Sequence, residues 1–294
     1  MTGGKPLPGT LRTWAASVVG PVTGVRDAAW PRVASRVWEL TCDDGDRFFL
    51  KVAPTPKFFT YETRAYRSAV SSLDAGHAPR LVGTLPEHLA LLLTAAPGTS
   101  VSALELTDGE RRLVHRHAGA LLRRLHGDGQ LDAEARAEVT SQAIRLAEQA
   151  DMHLTRAGDL ITDRDRAIVK HAVQQLPEMQ LLPAAYAHGD FQERNWLWSH
   201  GSLALVDFER ARHTWAVWDL VRLACGPWEG HPGLQQAFLD GYGRDLTDIE
   251  RYALGCLAAL DAVSAITWGA DNDSLVAERG RHTLDRLAKG ERLV

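Results

Sequence analysis

The spacing of apolar residues along this chain changes near residue 97. Up to about residue 96 they fall in short runs, PVTGVRDAAW, SRVWELTC, DRFFLKVA, APRLVGTL and HLALLLTA, rich in Val, Phe, Trp and Leu. Runs of this length and composition predict strands. Asp43-Asp44-Gly45 separates the second run from the third and is a hairpin signal, because Asp and Gly tolerate the tight turn. Phe59 to Leu73 holds no Gly or Pro and has helical composition. The expected order is therefore β-β-β-α-β-β.

From Pro97-Gly98 the pattern turns helical. Asp108 to Gly127 predicts a long helix ended by Gly127, with Leu113, Ala120, Leu121 and Leu125 on its apolar side. Further helices are expected over about 132–153 and 161–177. AAYAHGDFQERNWLW and SLALVDFERA read as loop and hairpin. Beyond Trp218 the chain is mostly helical, with breaks near Gly226-Pro227 and over Gly241 to Asp245. This predicts an α+β fold of two lobes. A smaller antiparallel-sheet lobe spans 1–96, and a larger helical lobe spans 97–294 after a short Pro-Gly hinge. Ligands favour the space between two such lobes.

Composition narrows the chemistry. The net charge of -4 offers no basic surface for nucleic acid. Three cysteines, Cys42, Cys225 and Cys256, are far apart and lack CxxC spacing, which reads as reduced thiols. The first twenty residues lack the apolar core of a signal peptide. No segment reaches the roughly 18 uncharged apolar residues of a membrane span. A soluble cytoplasmic protein without a membrane or nucleic-acid partner is expected. His115, His117, His153, His171 and His213 form no HExxH or Cys/His grouping, and no GxSxG occurs, so zinc and covalent hydrolase chemistry are not expected.

One segment carries chemistry. HGDFQERNWL runs from His188 to Leu197, and Asp207 follows in LALVDFERA. Phosphoryl transfer needs a carboxylate to orient and deprotonate the attacking hydroxyl, together with hard oxygen ligands for Mg²⁺. Asp190 suits the first task. Asn195 and Asp207 suit the second. The alternative, that Asp190 and Asn195 cap a helix and Asp207 closes a turn, explains each residue but not the whole set. His188 is redundant with Asp190 as a base and is expected to brace this catalytic segment.

These residues resemble the aminoglycoside phosphotransferase and choline kinase group of the protein-kinase-like superfamily. Gly189 stands between His188 and Asp190, as in the small-molecule enzymes of that group, where protein kinases usually carry Arg. The resemblance spans about residues 20 to 270. It implies that 1–96 binds nucleotide and that 97–294 holds catalysis and the acceptor. It implies that Lys51 contacts the nucleotide phosphates and that Glu62 pairs with Lys51. It implies that backbone near Thr94, Ala95 and Ala96 meets the nucleobase and that Asp219 steadies the catalytic loop. His126, in LLRRLHG, is expected to be a packed or capping residue. The implied cofactors are ATP or GTP with Mg²⁺, and the implied second partner is a small hydroxylated acceptor.

Two features depart from the pattern. The expected phosphate loop, WPRVASRVW, contains no glycine, and Ala34 and Ser35 are the small residues at its tip. Between Glu229 and Asp273 stand eight acidic and two basic residues, which suits a cationic acceptor, whereas Val276 to Val294 holds five basic and three acidic residues, so an acceptor with few positive charges is expected. Asp261 interrupts an apolar helical run, and Trp268 follows it. Both are candidate substrate contacts, with a buried hydrogen-bonded Asp and a core Trp as the plainer readings.

The sequence therefore points to an O-phosphotransferase, with an antibiotic as the leading acceptor through resistance or self-protection. A metabolic kinase for choline, homoserine or a sugar is the rival. A catalytically silent nucleotide-binding scaffold is the alternative of another class.

Overall fold

The computed structural model describes residues 5–29, 36–127 and 131–294. Ala34 and Ser35 lie outside the described residues. The chain divides into two compact units, residues 1–104 with 193–211, and residues 105–192 with 212–294.

The first unit opens with α1 (Gly9–Val19), followed by β1 (Val22–Asp27), β2 (Arg36–Cys42) and β3 (Arg47–Val52). Then come α2 (Pro56–Arg67), β4 (Leu81–Leu85), β5 (Ala90–Thr94) and the two-residue β6 (Thr99–Ser100). The predicted order of strands and helix is present, and α1 is an addition to it. Five strands pair in the order β1-β2-β3-β5-β4, all antiparallel. Leu11 and Ala15 of α1 pack with Trp38, Leu40, Leu50 and Leu92 of the sheet. Helix α2 begins where the sequence supplies a start. Thr55 accepts the Phe58 amide, and Pro56 occupies the first turn, where its missing N–H costs nothing.

The second unit begins with α3 (Asp108–His126), α4 (Ala133–Ala157), α5 (Asp163–Gln175) and β7 (Ala184–Ala187). Capping boxes Thr107–Glu110 and Thr162–Asp165 start α3 and α5. The buried stripe of α3 is Val114, Ala118, Leu121, Leu122 and Leu125, while Leu113 is exposed. The expected stripe was out at two of its four positions, Leu113 and Ala120, both exposed. Positions 114, 118, 121 and 125 keep one helical face, whereas 113 lies off it.

The chain then returns to the first unit for β8 (Trp196–Ser199) and β9 (Ser202–Leu205), a hairpin whose β8 also pairs with β6. The second unit resumes with β10 (Arg212–Trp215), which pairs antiparallel with β7. It closes with α6 (Val221–Ala224), α7 (Pro232–Tyr242), α8 (Asp248–Asn272) and α9 (Ser274–Ala288). Helices α3 and α7 approach closely because Gly119 and Gly241 face each other's helix. A Cβ on Gly119 would overlap the Phe238 carbonyl oxygen, and one on Gly241 would overlap that of Arg116. By composition α8 is apolar enough to cross a membrane. Its apolar positions, among them Leu254, Leu257, Val263 and Ile266, are buried within the protein.

Candidate active site

In the first unit the centre is Lys51. It sits in β3, opposite Val37 on one side and Leu91 on the other, with its side chain buried. Strand alternation sends Leu50 to the core and Lys51 to the other face. There Lys51 Nζ meets Glu62 of α2 at 3.0 Å, Asp207 at 2.5 Å and Glu209 at 3.1 Å. Burial by itself would lower the lysine's pKa. The carboxylates of Asp207, Glu62 and Glu209 outweigh it and hold the ammonium well above its ordinary value. Glu62 is fully buried, and desolvation pushes its carboxyl up to about 7 although Lys51 pulls the other way. The pairing of Lys51 with Glu62, expected from the family resemblance, is present. Glu209 was not anticipated. Its only sequence signal was its place two residues after Asp207.

Asn195 and Asp207 lie at the open end of the β8–β9 hairpin. Trp196 pairs with Leu205, and beyond that pair the Val206 amide donates to the Asn195 carbonyl at 3.0 Å. Asp207 then turns with φ 69, a left-handed conformation rare for a residue with a Cβ. Asp is among the residues that tolerate it best, and such outliers gather at functional positions. Asn195 is buried, and the Asp207 side chain is 30% exposed. Their amide and carboxylate oxygens are the hard donors that Mg²⁺ takes alongside water and phosphate oxygens. Among the described residues no group of three His, Cys, Asp or Glu side chains gathers as a metal cage. An amide and a carboxylate oxygen are donors that fit Mg²⁺ and not a structural zinc.

The linker that follows β5 is partly committed. The Thr94 amide donates to the Arg80 carbonyl, and the Thr94 hydroxyl accepts the Arg80 amide. The Ala95 amide donates to the Arg47 carbonyl at 3.1 Å. Among the described residues the Ala96 amide makes no main-chain hydrogen bond.

In the second unit the segment from His188 to Gln192 follows β7. Gly189 has φ 81, and glycine meets this backbone without steric cost. Asp219, preceding α6, is buried and holds the segment from beneath. Its two carboxylate oxygens accept the amides of His188 and Gly189, each at 2.7 Å. The same carboxylate meets His126 Nε2 at 3.0 Å, while His126 Nδ1 meets the Tyr242 hydroxyl at 2.8 Å. Asp219 is thus the bracket expected of it, and His126 is a packed residue that orients the bracket. His188 Nδ1 accepts the Asp190 amide at 3.4 Å, so His188 braces its own loop. Asp190 is nearly buried and accepts a hydrogen bond from Gln192 Nε2 at 2.6 Å.

The candidate substrate residues lie on α8. Asp261 is engaged by Arg222 Nη2 at 3.0 Å. Trp268 is 42% exposed, so the reading of it as a core residue is set aside. Arg222 was not singled out in the sequence.

The comparisons agree with this arrangement. A model of the phosphotransferase enzyme family, APH, matches residues 31–254. No curated protein sequence matches the chain. Among solved structures, the streptomycin–ATP–APH(2'')-IIa ternary complex aligns over 97% of this chain and 98% of its own, with TM-score 0.70 and 14% identity. The macrolide 2'-phosphotransferase MphH from Brachybacterium faecium aligns over 94% and 97%, with TM-score 0.63 and 17% identity. A choline/ethanolamine kinase family protein from Mesorhizobium loti aligns over 96% and 93%, with TM-score 0.68 and 17% identity. At these identities the likeness establishes the protein-kinase-like fold and nothing finer. The family match covers more than half of the chain, and with the Lys51 cluster and the braced Asp190 loop it places this protein in the phosphotransferase enzyme family.

Proposed function

We propose that this protein transfers the γ-phosphoryl group of ATP or GTP to a hydroxyl of a small molecule, and that the acceptor is an antibiotic. The observation that carries the reading is the buried Lys51 ammonium set among Glu62, Asp207 and Glu209. A cation buried that deeply and held by three carboxylates suits a polyphosphate ligand. Glu62 keeps it aimed, and Asp207 is free to change partners once phosphate oxygens supply the negative charge. Mg²⁺, when bound through Asn195 and Asp207, neutralises charge on the transferring group.

Asp190 orients the acceptor hydroxyl and takes its proton. Asp219, through the His188 and Gly189 amides, and His188, through the Asp190 amide, hold that carboxylate in place. Catalysis on this reading is mostly positioning and electrostatics. Phosphorylation adds bulk and charge where an antibiotic's target expects a hydroxyl, which supports resistance or self-protection. The three cysteines are all free and buried, in keeping with our proposal of a cytoplasmic enzyme.

Asp190→Ala should lower kcat by about 10²–10⁴ while nucleotide affinity stays within a few fold. Nucleotide consumption with an accepted substrate reads the first, and calorimetry reads the second. Turnover that survives the substitution sinks the mechanism. Growth of a sensitive host carrying the gene, across antibiotic classes, separates the antibiotic reading from a metabolic kinase. Uniform sensitivity counts against the former.

A further inference from the structure

The acidic bias from Glu229 to Asp273 would by itself suit a cationic acceptor, but apart from the exposed Asp245 the second unit uses those charges itself. Glu229 meets His282 at 2.7 Å and Arg286 at 3.2 Å. Asp240 meets Arg116 at 3.2 Å, Glu250 meets Arg244 at 2.6 Å, and Asp271 is paired with Arg156. Asp248 lies in the first turn of α8 and Asp273 caps α9, where the helix dipole favours a negative charge. Asp261 is the acid of this group that engages α6, and it is taken by Arg222.

Arg222 stands three residues after Asp219, the bracket of the catalytic loop. Its side chain remains 28% exposed, and that of Asp261 17%. The Asp261 charge raises its pKa above the ordinary value, burial opposes this, and the Asp190 charge adds to the rise. Arg222 follows Asp219 by one helical turn, so it shares the face of that turn whose Asp219 carboxylate holds the His188 and Gly189 amides, next to Asp190 in the chain. One of the five guanidinium donors is spent on Asp261, and the flat fork can offer others to oxygen acceptors. Along α8, Ser264 and the exposed Trp268 follow Asp261 at helical spacings of three and seven, so one polar and aromatic stripe continues from the pair.

We propose that Arg222, clamped by Asp261, sets acceptor specificity: it selects a molecule that presents hydroxyl, carbonyl or carboxylate oxygens beside the reacting hydroxyl and rejects polyamines. The inference rests on the kinase reading above. The cost of rejection is physical. An ammonium brought beside the guanidinium meets a like charge in a partly desolvated setting, and it finds the nearby carboxylate already neutralised.

The test is a panel of hydroxylated compounds sorted by charge, with gentamicin, streptomycin and hygromycin B as the polycations and choline as a monocation. Neutral and anionic sugars and hydroxy acids complete it. Turnover is read by nucleotide consumption, and acceptor binding is read separately by calorimetry with Mg²⁺ and a non-hydrolysable nucleotide. The best neutral or anionic acceptor should exceed every polycation at least tenfold in kcat/KM and in affinity. Arg222→Gln should lower kcat/KM for that acceptor about tenfold, mostly through KM, and should improve polycation binding by exposing Asp261. Arg222→Lys should keep the preference. The double variant Arg222→Gln with Asp261→Asn should show no polycation gain, which separates the charge effect from misfolding, and melting curves confirm the fold of each variant.

A polycation as the best acceptor overturns the inference and leaves the kinase reading intact. So does an Arg222→Gln variant that loses kcat for all acceptors equally. Charge-sorted binding without any phosphate transfer does the opposite: the inference stands and the kinase reading fails. A panel in which nothing binds overturns the inference.

Discussion

Lys51 and Glu62 show how one pair of residues can be both a binding device and a stability device. Both side chains are buried, and each is tolerable only because the other is there. Burial pushes the Glu62 carboxyl up to about 7, against the pull of Lys51. Its folded-state value lies above the ordinary 4.5, so its contribution to stability is complete below about 4.5 and is lost as pH rises through about 7. Glu62→Gln removes this titration. The melting temperature of that variant should fall less than the wild type's between pH 5 and pH 8, as measured by calorimetry. A difference that is unchanged or reversed refutes the assignment. The pairing of Lys51 with Glu62 was foreseen through the family resemblance, with a strand lysine followed eleven residues later by a helix glutamate. Glu209 was not, since nothing local says that a residue after Asp207 turns back to the same ammonium.

At the scale of elements, the active site depends on close packing away from it. Helix α7 carries Tyr242, which holds His126, which holds Asp219. The approach of α3 to α7 is set by Gly119 and Gly241, where any side chain meets backbone. Gly119→Ala should therefore destabilise the protein by about 1–3 kcal/mol through overpacking, read as a lower urea midpoint. It should also loosen the catalytic loop and cost activity, whereas a comparable change at the exposed Gly109, with open space around it, should cost neither. Hydrophobic spacing identified the strands, the capped helices and their order, because these are local properties of the chain. It put Leu113 and Ala120 on the apolar side of α3, where both are exposed, since a single helix does not say which face its neighbour covers. Helix α1 went unread because its eleven residues carry only two buried positions, Leu11 and Ala15.

For the whole molecule, the proposal gives Lys51 of the first unit the contact with the nucleotide phosphates. Ligand binding to the folded state alone raises stability by about 2.7 kcal/mol at a hundredfold excess over Kd. Mg²⁺ with a non-hydrolysable nucleotide should therefore raise the melting temperature of the wild type. It should leave Lys51→Met unshifted, while that variant's own midpoint falls because Glu62 has lost its buried partner. A Lys51→Met protein that still shifts with nucleotide refutes Lys51 as the phosphate contact.

The sequence by itself determined the elements and the reaction class. Short-range spacing encodes strands, helices and the loop from His188 to Asn195, and phosphoryl transfer needs few residue types in a fixed order. Tertiary structure alone decided which charges remain available. Counted along the chain, the acids between Glu229 and Asp273 suit a cation, but folding brings partners to most of them: Arg116 lies 124 residues from Asp240, and Arg222 lies 39 from Asp261. A charge count along a chain cannot distinguish a carboxylate awaiting a ligand from one already satisfied, because the satisfying cation is brought by folding from a distant part of the sequence.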